Sequence, residues 1–456
     1  MKYVLILLEH PDFKRYKHIR TLSSEEFPID DPHRRVIILG DIHGMEKPFR
    51  AMLNKLDYDG RNDVLVHTGD VLLRGRRRGS LAIIDFMTTH NITGVRGNHE
   101  QKIIEWKGWL VWFDTLPGAS EWLAALDTRW RLDHQSGHKL KAWVKSQRQR
   151  SRGRDAVWWD HIPQGWVPFG VHYRIAEKLT GAQAAYLISL PLKLHIPSAH
   201  TFVVHAGLLP YDVRYDYENK RQPLARVPRL GLTSPSNSEE KTQVLRNLQE
   251  LAILLRVPQN TSPWVNLNMR SVRKNNVISR APSKGTPWMK FWNDQMDLCA
   301  GFRLGKALLE AHGQEVLLTP SEKSLPCYPS SVIYGHTASR GLDINQHSFG
   351  LDTGCVYGRE LTAMILGPKP LVKEEEWEVV EDKFDEIHGV DEPEDWIDSD
   401  DELLEGDEQD NNDDDNFDRD HLEEGAFDIN PRSLKQARTI KFGEHGEAKV
   451  VQVSCS

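Results

Sequence analysis

Short apolar runs that each end in a glycine and a polar side chain recur along the first 370 residues of the chain. Each run is long enough for one β-strand. Several of the intervening stretches space their apolar residues three and four positions apart, as amphipathic helices do. Strands that alternate with helices indicate an α/β fold built from βαβ units. The predicted strands are Val36–Leu39, Val64–Val66, Thr201–Val204, Ser331–Tyr334, Gln346–Leu351 and Leu361–Leu366.

The same pattern divides the chain into regions. Residues 1–33 carry few signals and are predicted to be a lead-in to a domain over residues 34–370. The periodicity weakens at about residues 106–186, where nine of the 14 tryptophans lie, so a mostly helical insertion is predicted there. Core packing is the simpler role for these tryptophans. The predicted helices are Pro48–Leu56, Ser80–Thr89, Gln101–Trp112 and one near Gln243–Leu255.

Composition narrows the cellular setting. No apolar run reaches the roughly 18 residues of a membrane span. The run Tyr3–Leu8 is shorter than the core of a usual signal peptide, so a cytoplasmic protein is expected. The four cysteines show no CxxC spacing. Their scattered positions argue against a disulfide framework or a cysteine zinc site, and they fit a reducing compartment.

Charge is distributed very unevenly. The net charge is −8, but Glu374–Asp428 holds 28 acidic residues against only Lys383 and Arg419, so the remainder of the chain carries +18. Residues 371–456 are predicted to be an acidic, mostly disordered tail. The positive remainder favours an anionic substrate, for which the tethered tail is a candidate competitor. The stretch Lys139–Arg154 has seven basic residues and no acidic one.

Side chains that bind metals follow the predicted strands. Imidazoles, carboxylates and an amide make a mixed nitrogen and oxygen set, which suits Mn²⁺, Fe, Zn²⁺ or Co²⁺ better than Ca²⁺ or Mg²⁺. Six ligands exceed the need of one ion with an open position, so two divalent ions that share the carboxylate of Asp70 are predicted. The candidate ligands are Asp41, His43, Asp70, Asn98, His205 and His336.

The joint pattern GDIHG, GD…RG, GNHE, HAG and GH, in that order, resembles the calcineurin-like metallophosphoesterases of the PPP branch. The resemblance covers roughly residues 35–370. Ile92–Trp106, Ile333–Asp343 and Leu351–Gly358 resemble the ApaH-like group, which includes the fungal endopolyphosphatases and the symmetrical dinucleoside tetraphosphate hydrolases. The resemblance implies a β-sandwich flanked by helices.

The resemblance also implies a division of the ligands and a reaction. Asp41, His43 and Asp70 would bind the first metal ion. A hydroxide that bridges the two ions would attack phosphorus in line. The second ion would be bound by Asp70, Asn98, His205 and His336.

Other roles follow from the needs of the reaction. A leaving oxygen needs a proton, and His99 is the predicted general acid. Arg74 and Arg270 are predicted to bind the phosphoryl oxygens, with Arg76, Arg77 and Arg78 as substrate-binding residues. In the protein phosphatases an aspartate precedes the loop arginine and orients the catalytic histidine. Leu73 stands there in this chain, and Asp352 is a candidate replacement.

Three classes of function remain open. An endopolyphosphatase that cleaves inorganic polyphosphate is favoured by the positive charge outside the acidic tail. Hydrolysis of a dinucleoside polyphosphate or an RNA cap is the alternative, in which tryptophans stack on a base. Ser/Thr protein phosphatase activity is a lesser variant because of Leu73, and a non-catalytic metal scaffold is the third class. Resemblance to the endopolyphosphatases implies the vacuole as an alternative compartment.

Overall fold

The computed structural model describes residues 11–73, 77–231, 237–302, 324–367, 437–443 and 446–456. They belong to two units. The first is drawn from Met1–Pro117, Phe169–Val372 and Ala437–Ser456, and the second from Gly118–Pro168 and Lys373–Gln436. Most of the acidic tail lies outside the described residues, as does the apolar run Tyr3–Leu8.

Fifteen strands are present in the described residues. They are β1 (Lys17–Thr21), β2 (Arg35–Leu39), β3 (Asp63–His67), β4 (Thr93–Gly94), β5 (Pro191–Ile196), β6 (Thr201–Val204), β7 (Ser271–Val272), β8 (Ile278–Ser279), β9 (Thr286–Pro287), β10 (Ser331–Tyr334), β11 (Asp343–Ile344), β12 (Ser348–Gly350), β13 (Glu360–Leu366), β14 (Arg438–Phe442) and β15 (Gly446–Ser454).

Twelve α-helices accompany these strands in the described part of the chain. They are α1 (Glu46–Lys55), α2 (Arg77–Thr89), α3 (Asn98–Phe113), α4 (Ala119–Gln135), α5 (Leu140–Arg150), α6 (Arg154–Asp160), α7 (Val171–Lys178), α8 (Gly181–Ser189), α9 (Ser238–Arg256), α10 (Pro258–Thr261), α11 (Pro263–Asn268) and α12 (Trp288–Met296). None of these combines the length and the apolar character that a bilayer crossing requires.

Two six-stranded sheets dominate the first unit. One has the order β1-β5-β6-β10-β12-β11 and the other β14-β15-β13-β2-β3-β4, and a small third sheet has the order β8-β7-β9. Strands β2, β3 and β4 run parallel to one another, as do β6 and β10. The carboxyl ends of parallel strands meet at one edge, which is where such folds place ligands. The predicted α/β class, a β-sandwich flanked by helices, is confirmed by the two large sheets and the helices around them.

The main core lies between the two large sheets, because residues from both contribute to it. Val203 and Ile333 of the first sheet pack in one buried cluster with Ile38 and Met364 of the second. Alternate residues of the same strands, such as Phe202, face the opposite way and pack against Trp288 and Trp292 of α12. Strands β2, β6 and β10 thus bury both faces, which explains their continuous apolar runs.

The second unit is helical where it is described. Trp130 of α4 packs on Trp143 of α5 with ring centroids 5.2 Å apart. The Trp143 indole donates a hydrogen bond of 2.6 Å to Asp133. Trp159 is 1% exposed and meets Trp122 edge-on at 5.6 Å. These tryptophans therefore make packing contacts, which agrees with the simpler of their two predicted roles.

The termini differ from the expected boundaries. Strand β1 lies within the predicted lead-in, yet it pairs in parallel with β5. It is an edge strand with a mostly exposed, polar sequence, so it lacks the alternation that signals a strand. Strands β14 and β15 lie within the predicted tail, but β15 pairs antiparallel with β13 along the full length of β13. Residues 438–442 and 446–454 thus belong to the sheet.

The four cysteines form two disulfides, Cys299–Cys327 and Cys355–Cys455. The expectation of reduced, scattered cysteines was wrong. It rested on local spacing, whereas the partners are 28 and 100 residues apart in the chain. Pairing of β13 with β15 aligns Glu360 with Ser454 and brings Cys355 and Cys455 within 5.2 Å between their Cα atoms.

Candidate metal centre and active site

The six predicted metal ligands meet at the carboxyl ends of five strands. Each follows its strand by a few residues, and all six are buried. Asp41 and His43 follow β2, Asp70 follows β3, Asn98 follows β4, His205 follows β6 and His336 follows β10.

Two groups of ligand atoms share Asp70. The ligand atoms of His43, Asp70 and His99 lie within 4.8 Å of one another, and so do those of Asp70, His205 and His336. A carboxylate common to both groups is in the position that a bridging ligand needs. His99 belongs to the first group where the sequence predicts Asp41, although Asp41 is close by.

The remaining predicted ligands lie against these groups. Oδ2 of Asp41 is 3.8 Å from Nε2 of His43 and accepts a hydrogen bond of 3.0 Å from the backbone N–H of His336. Oδ1 of Asn98 is 2.9 Å from Nε2 of His205. Nδ1 of His205 is 2.9 Å from the carbonyl of Thr68, which orients the ring with Nε2 toward Asp70.

Two observations fit this donor set to metal ions. Nε2 of His336 is buried and has no hydrogen-bond partner among the described residues, which is costly unless the nitrogen has another ligand. His43, Asp70 and His336 have φ values of 50°, 47° and 72°, a region that L-residues rarely adopt. Such conformations cluster at sites where the surrounding fold imposes them for function.

The electrostatics of the cluster also call for cations. Burial raises the pKa of Asp41 well above its usual range, and the nearby Asp352 and Asp70 raise it further. Burial would also raise the pKa of Asp70, but the adjacent imidazoles, that of His205 first, lower it well below its usual value. Divalent ions would stabilise buried carboxylates that repel one another.

Glu100 organises the loop that carries Asp70. Its side chain is fully buried and accepts hydrogen bonds from the backbone N–H groups of Asp70 at 2.8 Å, Gly97 at 2.9 Å and Leu72 at 3.2 Å. Burial and the charge of Asp70 raise the pKa of Glu100 to about 7. Sequence reasoning missed this role, although the residue is the last letter of the GNHE motif.

Two glycines beside the ligands are required for space. A Cβ atom at Gly97 would collide with Oδ1 of Asp70, and one at Gly335 would collide with Oδ1 of Asp41. The glycines of the GNHE and GH motifs thus let the backbone pass directly against the carboxylates.

His99 faces the ligand cluster from the first turn of α3. Its Nε2 is 3.8 Å from Oδ2 of Asp70, and its Nδ1 is 3.0 Å from Nε2 of His172. Burial lowers the pKa of His99 to about 3, although the charge of Asp70 acts in the opposite direction. Bound phosphate would favour the protonated form, because an opposite charge stabilises an imidazolium.

The predicted orienting residue does not occupy the expected place. His172, and not Asp352, is hydrogen-bonded to His99. Asp352 is buried, and its carboxylate accepts a hydrogen bond from the backbone N–H of Gly354. His172 lies on α7, outside every strand-end motif of the sequence, so no motif signalled it.

Arg270 is held beside the cluster by backbone groups. Its Nε and Nη2 donate to the carbonyl of His336 at 3.3 and 3.0 Å, and its Nη1 donates to the carbonyl of Arg280. Burial lowers the pKa of Arg270, while the negative charges of Asp352, Asp70 and Asp41 oppose that shift. This position is compatible with the predicted contact to a phosphoryl group.

The arginine loop after Asp70 is described only in part. Arg77 and Arg78 are exposed at the start of α2. Arg74 and Arg76 lie outside the described residues, so their predicted roles stay predictions.

Residues 34–207 match the family model described as calcineurin-like phosphoesterase. The chain contains a calcineurin-like phosphoesterase domain. The resemblance inferred from the motifs is thereby confirmed, and so is the coarse class, a hydrolase of the metallophosphoesterase type. The two groups of His and Asp side chains described above could bind metal ions.

Two kinds of protein are among the relatives of this chain. The chain is 23% identical over 345 residues to a symmetrical bis(5'-nucleosyl)-tetraphosphatase of Haemophilus ducreyi, covering 74% of this chain and 97% of that protein. It is 36% identical over 72 residues to serine/threonine-protein phosphatase 1 of Salmonella typhimurium, a match that spans 16% of this chain and 32% of that protein.

A solved structure also resembles this chain weakly. A protein serine/threonine phosphatase from Saccharomyces cerevisiae aligns over 78% of this chain and 78% of its own, with 12% identity and a TM-score of 0.29. So low a score adds nothing to the assignment.

Proposed function

We propose that this protein is an endopolyphosphatase, a metal-dependent hydrolase that cleaves internal phosphoanhydride bonds of inorganic polyphosphate. The observation that carries the proposal is the combination of a buried two-group His/Asp cluster with a net charge of +18 outside the acidic segment. A long polyanion gains affinity from every cation along its path.

In this proposal the six strand-end residues hold two divalent ions. Such ions neutralise charge on the phosphoryl oxygens and activate water. Arg270 binds phosphoryl oxygens from its anchored position beside His336. His99 donates a proton to the leaving oxygen from the Nε2 that faces the cluster.

Basic residues away from the cluster would bind more distant phosphates. Arg77 and Arg78, together with Arg74 and Arg76, follow Asp70 closely in the chain. These cationic residues support a polymer of phosphate as substrate, since a short phosphate ester is too small to contact so many of them.

A second candidate is hydrolysis of a dinucleoside polyphosphate. The relative that this chain covers to 97% of its length is a symmetrical bis(5'-nucleosyl)-tetraphosphatase. In addition, Trp122, Trp158 and Arg154 line a surface pocket of about 410 Å³ in the helical unit. Indole rings and an arginine are groups on which a nucleobase stacks.

A substrate panel separates these candidates. The purified protein is incubated with Mn²⁺, Zn²⁺ or Co²⁺ and with long-chain polyphosphate, diadenosine tetraphosphate, capped RNA or a phosphoserine peptide. We expect polyphosphate to shorten through intermediate lengths on a gel, as internal cleavage requires. Asp70→Asn is the inactive reference, and Asp160→Asn, an exposed change in the helical unit, is the matched control.

The outcomes of the panel are distinct. Release of ADP from diadenosine tetraphosphate without any shortening of polyphosphate would establish the second candidate. Turnover of the capped RNA or of the phosphopeptide alone would point to those activities. Inactivity on every substrate, with metal bound, would leave the scaffold interpretation.

We also propose an oxidising compartment, with the vacuole as the expected place. All four cysteines are paired, and disulfides persist where thiols are not kept reduced. Protein isolated in the presence of a thiol-alkylating reagent should therefore show no alkylated cysteine by mass spectrometry. Alkylation of all four cysteines would restore the cytoplasmic expectation.

A further inference from the structure

His99 lacks the neighbour that orients the corresponding histidine in the protein phosphatases. Leu73 is 4% exposed, and its side chain offers no hydrogen-bond acceptor. The backbone N–H of Leu73 donates to the hydroxyl of Ser80 at 3.1 Å. Another residue must therefore fix the imidazole if it is to deliver a proton in one direction.

His172 meets His99 edge to edge. The two ring planes are inclined by 21°, and the ring centroids are 5.2 Å apart. Nδ1 of His99 is 3.0 Å from Nε2 of His172. The distance between the centroids is this distance plus the radius of each ring, so both nitrogens lie on the line that joins the two centroids. The rings are thus nearly coplanar rather than stacked face to face, so the in-plane N–H and lone pair point at each other.

The fold holds His172 firmly in this position. It lies in the first turn of α7, which packs along α3, the helix that carries His99. The next residue, Tyr173, is 2% exposed and packs edge-on against Trp106 of α3 and against Phe169. Because Tyr173 fixes this turn of α7 in the core, His172 can orient the ring of His99 with little loss of side-chain conformational entropy.

We propose that His172 is the positioning residue for His99, in place of the absent carboxylate. This inference deepens the proposed hydrolase and rests on it. With His99 protonated, its Nδ1–H donates to Nε2 of His172, so the proton on Nε2 is the one that faces the cluster. When the P–O bond to the leaving group breaks, its electron pair stays on the leaving oxygen. That oxygen takes the Nε2 proton, and His99 remains neutral with its Nδ1–H still bonded to His172.

The kinetic test compares two leaving groups. Phenyl phosphate leaves as a basic phenolate that needs a proton, whereas p-nitrophenyl phosphate leaves readily without one. We expect His172→Phe to lower kcat for phenyl phosphate roughly 10- to 100-fold more than kcat for p-nitrophenyl phosphate, with KM unchanged. His172→Gln supplies an amide oxygen as acceptor and should recover part of that difference. His138→Phe, an exposed change in the helical unit, is the matched control.

Equal losses on both esters would reduce His172 to a structural residue and overturn the proposal, as would no loss on either. A second measurement does not depend on turnover. Heteronuclear NMR of isotopically labelled histidine should show a hydrogen-bonded Nδ1–H on His99 in the wild type, and its loss in His172→Phe. If the wild type does not shorten polyphosphate, the proposed function fails; if it hydrolyses neither ester, this signal alone decides the role of His172.

Discussion

Asp41 is a carboxylate that the fold keeps buried among other carboxylates. Burial raises its pKa well above the usual range, and Asp352, Asp70 and Glu100 all add repulsion. A raised carboxyl pKa means that the ionised form destabilises the folded protein. The ionised carboxylate of Asp41 therefore does not stabilise the metal-free protein. Its position among the other candidate ligands indicates that its role is to bind metal.

Asp41→Asn should stabilise the metal-free protein and abolish metal-dependent hydrolysis. The amide keeps an oxygen to accept the hydrogen bond from the N–H of His336, while the repulsion disappears. We expect the free energy of unfolding to rise by about 1–2 kcal/mol, which is the range for substitutions that remove a destabilising feature of a functional site. Thermal denaturation at neutral pH with a chelator measures it.

Asp160→Asn, at an exposed site, serves as the control for that experiment. A loss of stability in Asp41→Asn would contradict the argument, because it would mean that the ionised carboxylate contributes favourable contacts without metal.

At the scale of elements, α9 is fastened to the first large sheet by a buried charge. Glu250 is fully buried; its Oε2 is 2.6 Å from Nε2 of His195, and its Oε1 is 2.8 Å from Nδ1 of His200. Burial would raise the pKa of Glu250, but the hydrogen bonds with the two histidines lower it overall. The ionised carboxylate thus stabilises the attachment of the helix to the turn between β5 and β6.

Glu250→Gln should lower the free energy of unfolding by about 2 kcal/mol at pH 7, in the range of hydrogen bonds to charged groups. A depressed carboxyl pKa contributes stability that is present above the unfolded value of 4.5 and is lost as pH falls through the folded pKa. The difference between variant and wild type should therefore shrink as the pH falls below about 4.5. Denaturant unfolding across pH 3–7 tests both points.

Glu240→Gln, an exposed change on the same helix, should cost less than about 0.5 kcal/mol at any pH. A difference for Glu250→Gln that stays constant from neutral to acidic pH would show that the histidine contacts do not depend on the charge.

The secondary-structure elements differ in how well their sequences predict them. Strands β2, β6 and β10 could be predicted because both of their faces are buried and their ends carry glycine and a ligand. The candidate ligands followed from the same pattern. The order of the motifs indicated the family, since each motif alone is common in unrelated proteins.

Other features depend on tertiary placement and leave no local pattern. Strand β15 follows the acidic segment and becomes a strand by pairing with β13. His172 reaches His99 only because α7 packs on α3. The disulfide Cys355–Cys455 is fixed by strand register rather than by spacing. In each case the partner is distant in sequence, so propensity and periodicity could not identify it.

At the scale of the whole molecule, the acidic segment connects, in the sequence, two parts of one sheet. Strand β13 precedes it, and β14 and β15 follow it. Removing residues 373–456 would therefore remove two strands and Cys455 as well as the charge. A test of competition by the acidic segment has to be an internal deletion that keeps these strands.

Deletion of residues 374–428 should lower the apparent KM for long-chain polyphosphate, most clearly at low salt. A run with a net charge of −26 that is tethered to a basic body has a high local concentration, and salt screens its attraction. Steady-state kinetics at several ionic strengths measure the effect. A linker of equal length built from glycine and serine is the control, and an unchanged KM at low salt would dismiss the idea.

The Cys355–Cys455 bond has a consequence for a protein that has been nicked by a protease. The bond closes a covalent loop that includes the acidic segment, and the β13–β15 ladder holds the two ends of that loop together. A single cut between residues 374 and 428 should leave both fragments attached, as one band on a non-reducing gel and two after reduction. The cleaved protein should also keep its thermal stability until reductant is added. Separation of the fragments without reductant would mean that the ring is open.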